Sequence, residues 1–213
     1  GVLLVLLKIL SLPVNQSIWG LLIVLFIAMV VVSQFMLTFG SDPNAKVTKK
    51  SKSPLSFHPI ALIFGLLSFV SYLVEGAVGD WSALYLFEDK GIVIEEAVMG
   101  VMLFNGTMCI GRLLGNRLGK HLTSKQVVVG GYLLGSIAMG LIVFLPGHAS
   151  MYTYLLLGIS LAMIVPNLFS AMGEQNVIPM TQAVATSTML GYMGILMGPA
   201  LIGFIAHGTS LTV

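Results

Sequence analysis

The chain has few charged residues and a single cysteine. Charged side chains make up 8% of its 213 residues, whereas a soluble domain carries roughly 25%. Hydrophobic residues make up 57%, and the mean hydropathy is +1.00. So few charges cannot cover a water-facing surface, which excludes a soluble globular domain and predicts an integral membrane protein. The lone Cys109 excludes an internal disulfide framework and a cysteine-rich metal site. A net charge of +2 is too small to indicate a nucleic-acid partner.

Motifs of membrane enzymes are also missing from the sequence. The four histidines lie far apart, and no H-E-x-x-H, G-x-S-x-G or C-x-x-C occurs. Gly119-Lys120 resembles a phosphate loop only superficially, because the G-x-x-x-x-G-K-[ST] spacing is absent. We therefore expect neither an enzyme nor a bound cofactor or metal.

Long apolar runs fill most of the chain. A spanning helix needs about 20 mostly apolar residues, and continuous runs favour helices over the alternating strands of a barrel. The apolar stub Gly1–Leu10 is interpreted as the end of a helix whose start is missing. Six full spans are then predicted: Ile18–Phe39, Phe57–Val78, Ala97–Leu118, Val127–Pro146, Met151–Met172 and Thr181–Ala206. The predicted fold is an all-α, polytopic transmembrane helix bundle.

The basic residues define the orientation of these spans. Eight of the ten fall on alternate connections, on one side of the membrane: Lys46, Lys49, Lys50, Lys52, Arg112, Arg117, Lys120 and Lys125. The positive-inside rule makes that side cytoplasmic. The orientation places residues 173–180 inside and the last residues outside, in a multi-pass protein of a cell membrane.

Glu75 is the most informative polar residue, because it interrupts an apolar helix. A carboxylate at membrane depth is expensive unless it faces water or a partner, so it is a candidate site residue. The alternative is that Glu75, in the outer third of the predicted helix, reaches water at the interface. Gly76 and Gly79 are expected to let the helix open or bend there. Asp80 is interpreted as interfacial.

Three neutral amides lie within the other spans. Asn105, Asn167 and Gln182 are candidate solute contacts, and each can equally bond a neighbouring helix. Pro166 precedes Asn167 and removes a backbone donor, which predicts a kink beside that amide.

Gly111, Gly115 and Gly119 recur every four residues on the third full span. This spacing lets two helix backbones approach closely, and we expect the resulting packing surface to be able to slide.

Several strings together resemble a known family. Asn116-Arg117-Leu118-Gly119-Lys120-His121 resembles the end of the cytoplasmic signature D-R-x-G-[RK]-[RK] of the major facilitator superfamily, with Asn116 in place of the acidic residue. The chain is similar to bacterial permeases akin to the fucose permease branch in five strings, from Ile18 to Leu211 overall. They are residues 75–86, 111–115, 165–170, 191–194 and 198–203.

The resemblance implies a fragment of a twelve-helix transporter of the bacterial inner membrane. Residues 1–39 would close the N-terminal half, 40–56 would form the cytoplasmic loop between halves, and 57–213 would form a C-terminal bundle lacking its final helix. The partners implied are the missing N-terminal half, the lipid bilayer, a small solute and protons. Arg112 would lie at the cytoplasmic gate, pairing with an acidic residue in one conformation. Asn116, Arg117 and the glycine stripe would take part in conformational change.

Two functional hypotheses remain open from the sequence. The first is a secondary active transporter of a small polar solute, such as a sugar, working by alternating access and driven by protons. It predicts that Glu75, Asn105 and Asn167 face a common cavity. The alternative is a truncated or degenerate membrane module that does not transport. No basic cluster lies at the midplane, which disfavours a strongly anionic solute.

Overall fold

The computed structural model describes residues 58–118 and 122–208, together with Ile27. The chain divides into two units, Gly1–Lys52 and Ser53–Val213, and the second is described here. It is built from helices, and no strand occurs among the described residues. The helices are α1 (Pro59–Glu88), α2 (Ile94–Leu118), α3 (Ser124–Phe144), α4 (Gly147–Ala162), α5 (Ile164–Glu174) and α6 (Met180–Gly208).

Among the described residues, five helical stretches are long and apolar enough to cross a membrane. They are α1, most of α2, α3, the pair α4–α5 and α6. The prediction of an all-α transmembrane bundle is therefore confirmed, and the protein is a multi-pass membrane protein. The predicted span Ile18–Phe39 and the stub Gly1–Leu10 lie outside the described residues, apart from Ile27, which is helical and exposed.

Helix α1 runs ten residues beyond its predicted end at Val78. At 1.5 Å per residue, its 30 residues span about 45 Å, against about 30 Å of hydrocarbon. The helix continues because nothing in residues 79–88 breaks it, and it ends just before Gly91, whose φ of 66° is left-handed. The predicted opening at Gly76 and Gly79 does not occur in this structure, because α1 is continuous through both.

The predicted single span Met151–Met172 is divided at Met163. Met163 ends α4 and precedes α5, with φ −100° and ψ −6°. Pro166 lacks the N–H that would bond to the carbonyl of Ala162, which explains why one continuous helix is interrupted here. The kink predicted from Pro166 is therefore present as a break between two helices.

The helices pack in two close pairs, α1 with α6 and α2 with α4. In the first pair, a methyl group on Gly198 would lie 2.6 Å from the Leu73 carbonyl oxygen, and one on Gly194 would overlap that of Phe69. In the second pair, Gly158 of α4 lies as closely against the backbone of Phe104. Glycine is required where backbones approach to this distance.

Hydroxyl groups bond α1 to α6 and to α3. Ser68 and Ser187 bond across α1 and α6 at 2.6 Å. On the α3 side, the Tyr132 hydroxyl donates to the Leu67 carbonyl at 2.5 Å and bonds to Ser71 at 2.8 Å. These bonds satisfy polar groups that would be costly to leave unpaired inside a bundle.

Candidate functional site

The centre of the candidate site is an ion pair between two helices. The Arg112 guanidinium on α2 lies 3.1 Å from Oε1 of Glu75 on α1. The Glu75 side chain is 15% exposed and the Arg112 side chain 45% exposed. A carboxylate at membrane depth is costly unless it has a partner, and Arg112 is that partner.

Glu75 lies near the middle of α1. It is sixteen residues after Pro59 and thirteen before Glu88, so about 24 Å and 20 Å from the two ends. The sequence placed it in the outer third of a shorter helix, which left open that it reaches interfacial water alone. The structure differs from this expectation: α1 is longer, so Glu75 is near its middle, and Glu75 is paired with Arg112. Asp80, five residues further along α1, is exposed.

Two tyrosines complete the group around the ion pair. Tyr72, one turn before Glu75 on α1, is stacked on Tyr192 of α6, with ring centroids 6.2 Å apart and an interplanar angle of 10°. Tyr72 is three residues before Glu75 on α1 and contacts α6 through the stacked Tyr192 ring. We call Tyr72, Glu75, Arg112 and Tyr192 the Glu75 cluster.

The sequence pointed to only part of this cluster. Arg112 was placed at the cytoplasmic gate, and Tyr192 was not among the candidate site residues. Tyr72 was missed, although its position three residues before Glu75 puts it on a neighbouring part of the same helix face. Tyr192 is 62% exposed, so one face of the aromatic pair is open.

The candidate asparagines bond to their own helices. The Asn105 amide donates to the Val101 carbonyl at 3.0 Å, and the Asn167 amide donates to the Met163 carbonyl at 2.8 Å. Asn105 is exposed and lies seven residues before Arg112, so both are on one face of α2. Asn167 is partly buried, and its bond covers a carbonyl at the α4–α5 break.

The other candidate residues lie near the ends of helices. Gln182 is partly buried in the first turn of α6, where its backbone N–H bonds to the Pro179 carbonyl. Asn116 and Arg117 are in the last turn of α2, and their side chains are outside the described part of the structure, as is Gly119.

The first two glycines of the stripe form a packing surface, as the sequence indicated. A methyl group on Gly111 would lie 2.6 Å from Cβ of Ala162, and one on Gly115 would overlap the Met163 side chain. Gly111 and Gly115 therefore lie against the end of α4, next to the helix break.

The polar groups of the cluster can hold a solute by hydrogen bonds. The carboxylate accepts, the guanidinium donates, and the two phenols do both. Among the described residues, no group of three His, Cys, Asp or Glu side chains is placed to hold a metal ion.

The chain is similar to named transporters and membrane proteins. It is 41% identical over 155 residues to an uncharacterised MFS-type transporter of Yersinia pestis, covering 71% of this chain and 40% of that protein. It is 31% identical over 151 residues to membrane protein MosC of Rhizobium meliloti, covering 70% and 37%. It is 28% identical over 153 residues to an uncharacterised transporter of Sinorhizobium fredii, covering 70% and 40%.

The matched region is thus about two fifths of the length of these relatives. No protein-family model matches the chain, and no solved structure matches it significantly.

Proposed function

We propose that the chain is part of a major facilitator superfamily transporter, of the fucose-permease-like branch, that moves a small polar solute by alternating access. The names of the relatives support a membrane transporter. The observation that carries the proposal is the Glu75–Arg112 pair in mid-helix, because ionisable residues at membrane depth mark solute and proton pathways. The membrane proposed is the bacterial inner membrane.

The charges of the cluster favour a neutral solute. Glu75 and Arg112 offset each other, so the site presents donors and acceptors without net charge. A strongly anionic or cationic solute would leave one charge of the pair without its partner at membrane depth. A sugar or polyol, with many hydroxyl groups that donate and accept, matches such a surface.

The aromatic pair supplies the apolar part of the site. Binding sites combine apolar and aromatic walls with a few polar groups that fix orientation. The exposed Tyr192 ring, stacked on Tyr72, gives a flat apolar surface beside the ion pair. The C–H face of a sugar ring would pack on it while hydroxyl groups bond to Glu75 and Arg112.

Proton coupling would act through Glu75. A ligand shifts a conformational equilibrium only if it binds one state better than the other. A proton on Glu75 removes the attraction for Arg112, so the state with the pair formed loses its advantage. A solute whose hydroxyl groups bond to Glu75 and Arg112 in place of the ion pair would favour the same separated state as the proton, which couples their movements. The second half of the transporter would supply the opposing wall of the cavity.

Proton-driven uptake by the full-length protein tests this function. Purified protein in proteoliposomes is given neutral sugars and polyols under an imposed pH gradient, and the wild type is compared with Glu75→Gln. We expect uptake in the wild type and at least a tenfold loss in the variant. Asp80→Asn, which removes an exposed carboxylate from the same helix, is the matched control and should transport normally.

The outcomes separate the parts of the proposal. Equal uptake by wild type and Glu75→Gln would remove Glu75 from the mechanism. Proton coupling would be overturned if the solute is taken up without a pH gradient and an imposed gradient does not increase the uptake. The absence of uptake for every neutral solute, with a folded protein, would overturn the solute class.

A further inference from the structure

A second cavity lies at the end of the bundle where α1 ends, away from the Glu75 cluster. A cavity of about 150 Å³ is enclosed by α1, α3, α4 and α6. Its wall is mostly apolar, with Val78, Ile142, Val143 and Ile202 among the lining residues. Met139 and Val143 of α3 line it while remaining 40% and 47% exposed, so the cavity opens at α3. A cavity of this size holds a small apolar group.

The cavity contains a buried polar group without a partner. Tyr85 lines it and is 9% exposed, and its hydroxyl has no hydrogen-bond partner among the described residues. A buried tyrosine hydroxyl usually has a partner, because leaving it unpaired is costly. Two neighbouring donors are already used, since Ser82 donates to the Val78 carbonyl and the Trp81 indole donates to the Pro199 carbonyl at 3.0 Å. An acceptor on a bound ligand would supply the missing partner.

A cation lies beside this tyrosine. Nζ of Lys90 is 5.3 Å from the centre of the Tyr85 ring and 2.6 Å from the Val143 carbonyl, the residue that also lines the opening at α3. The ammonium group keeps further donors after bonding one carbonyl. An anionic group bound at the mouth of the cavity would accept from them.

The depth of the site matches the boundary between hydrocarbon and headgroups. Tyr85 is three residues from the end of α1, and Val143 is one residue from the end of α3. Trp and Tyr side chains are enriched at this level of a bilayer. Going outward, the site therefore offers an apolar cavity, one hydrogen-bond donor and one cation.

We propose that this cavity binds a glycerophospholipid of the outer leaflet. One acyl chain enters past Met139 and Val143, an ester carbonyl accepts the hydrogen bond of the Tyr85 hydroxyl, and the phosphate lies against Lys90. The order of the three groups along the membrane normal is the order in the lipid. A free fatty acid or an alkyl detergent has the apolar chain but lacks the ester carbonyl and the phosphate.

Fluorescence of Trp81, which lines the cavity, reports on occupancy. The full-length protein, with its other tryptophans replaced by phenylalanine, is reconstituted with phosphatidylglycerol brominated on the acyl chain at increasing mole fraction. Bromine quenches indole fluorescence on contact. We expect quenching that saturates at low mole fraction, and at least a threefold weaker apparent affinity in Tyr85→Phe and in Lys90→Gln. Tyr152→Phe, an exposed tyrosine of α4, is the control and should bind like the parent.

Two results would overturn the proposal. Quenching proportional to the mole fraction of lipid, and equal in Tyr85→Phe, would mean ordinary lipid contact at the protein surface. Equally strong quenching by a brominated alkyl detergent without ester or phosphate would mean an apolar cavity that does not recognise the lipid. If replacing tryptophans prevents folding, retention of phospholipid by the wild type, Tyr85→Phe and Tyr152→Phe is compared by native mass spectrometry, and equal retention would equally overturn it.

Discussion

The Arg112 guanidinium on α2 and the Glu75 carboxylate on α1 meet at 3.1 Å, although 37 residues separate them along the chain. Each side chain removes the reason why the other would be unfavourable at that depth. Replacing either residue alone should therefore leave the other without its partner, a cost that is absent when both are replaced.

A double-mutant cycle measures this dependence. We expect Glu75→Gln and Arg112→Gln each to lower the free energy of unfolding by about 1–3 kcal/mol, below the range for a fully buried pair because Arg112 is 45% exposed. The double variant should lose less than the sum of the two, by at least about 0.5 kcal/mol. Unfolding in mixed micelles is the measurement, with Asp80→Asn as the control. Strictly additive losses would contradict a direct interaction.

The glycines of α6 should be intolerant of a methyl group. In Gly198→Ala the new methyl would lie 2.6 Å from the Leu73 carbonyl oxygen, which cannot move without displacing α1. We expect a loss of about 1–3 kcal/mol in the free energy of unfolding. Gly140→Ala on α3 is the control, because no atom lies within 4 Å of its added methyl, and it should stabilise by up to about 1 kcal/mol. The same loss in both variants would show that close packing is not the cause.

The two asparagines should affect different quantities. Asn167→Ala removes the bond to the Met163 carbonyl at the helix break, so we expect about 1 kcal/mol of lost stability. Asn105→Ala removes an exposed amide on the Arg112 face of α2, so we expect a severalfold higher KM with stability changed by less than about 0.5 kcal/mol. Thermal unfolding and uptake kinetics on both variants decide this. A higher KM in Asn167→Ala alone would reverse the assignment.

Cys109 should report on solute binding. It is exposed and lies between Asn105 and Arg112 in sequence, within one turn of either residue on the same side of α2. In a full-length protein whose other cysteines are replaced, a membrane-impermeant thiol reagent should label it, and a transported solute should slow labelling severalfold. Labelling that is unaffected by saturating solute would place Cys109, and this part of the α2 face, outside the solute pathway.

The bundle itself could be predicted from the sequence because apolar composition alone marks a membrane span. The lengths of the helices were harder to predict, as α1 shows. A hydropathy argument ends with the last residue of the apolar run, Val78, whereas the hydrogen bonds of the helix continue to Glu88. That difference moved Glu75 from the outer third of its helix to the middle.

The site was harder to predict, because it depends on how helices cross. Glu75 and Arg112 were both visible as charges in apolar runs, but their contact follows from the packing of α1 on α2. The pairing of Tyr72 with Tyr192 needs the glycine at 191, since the Tyr72 ring lies where any side chain at Gly191 would be. A spacing pattern within one helix contains no information about such contacts between helices.

The glycine contacts between α1 and α6 also limit how the cluster can come apart. Helices whose backbones touch at Gly194 and Gly198, and whose serines bond across the same surface, translate together as one body. Tyr72, Glu75 and Tyr192 are all on that body, whereas Arg112 belongs to the neighbouring pair formed by α2 and α4. A rearrangement that preserves these α1–α6 contacts therefore keeps three of the four groups in register and changes the distance to the fourth.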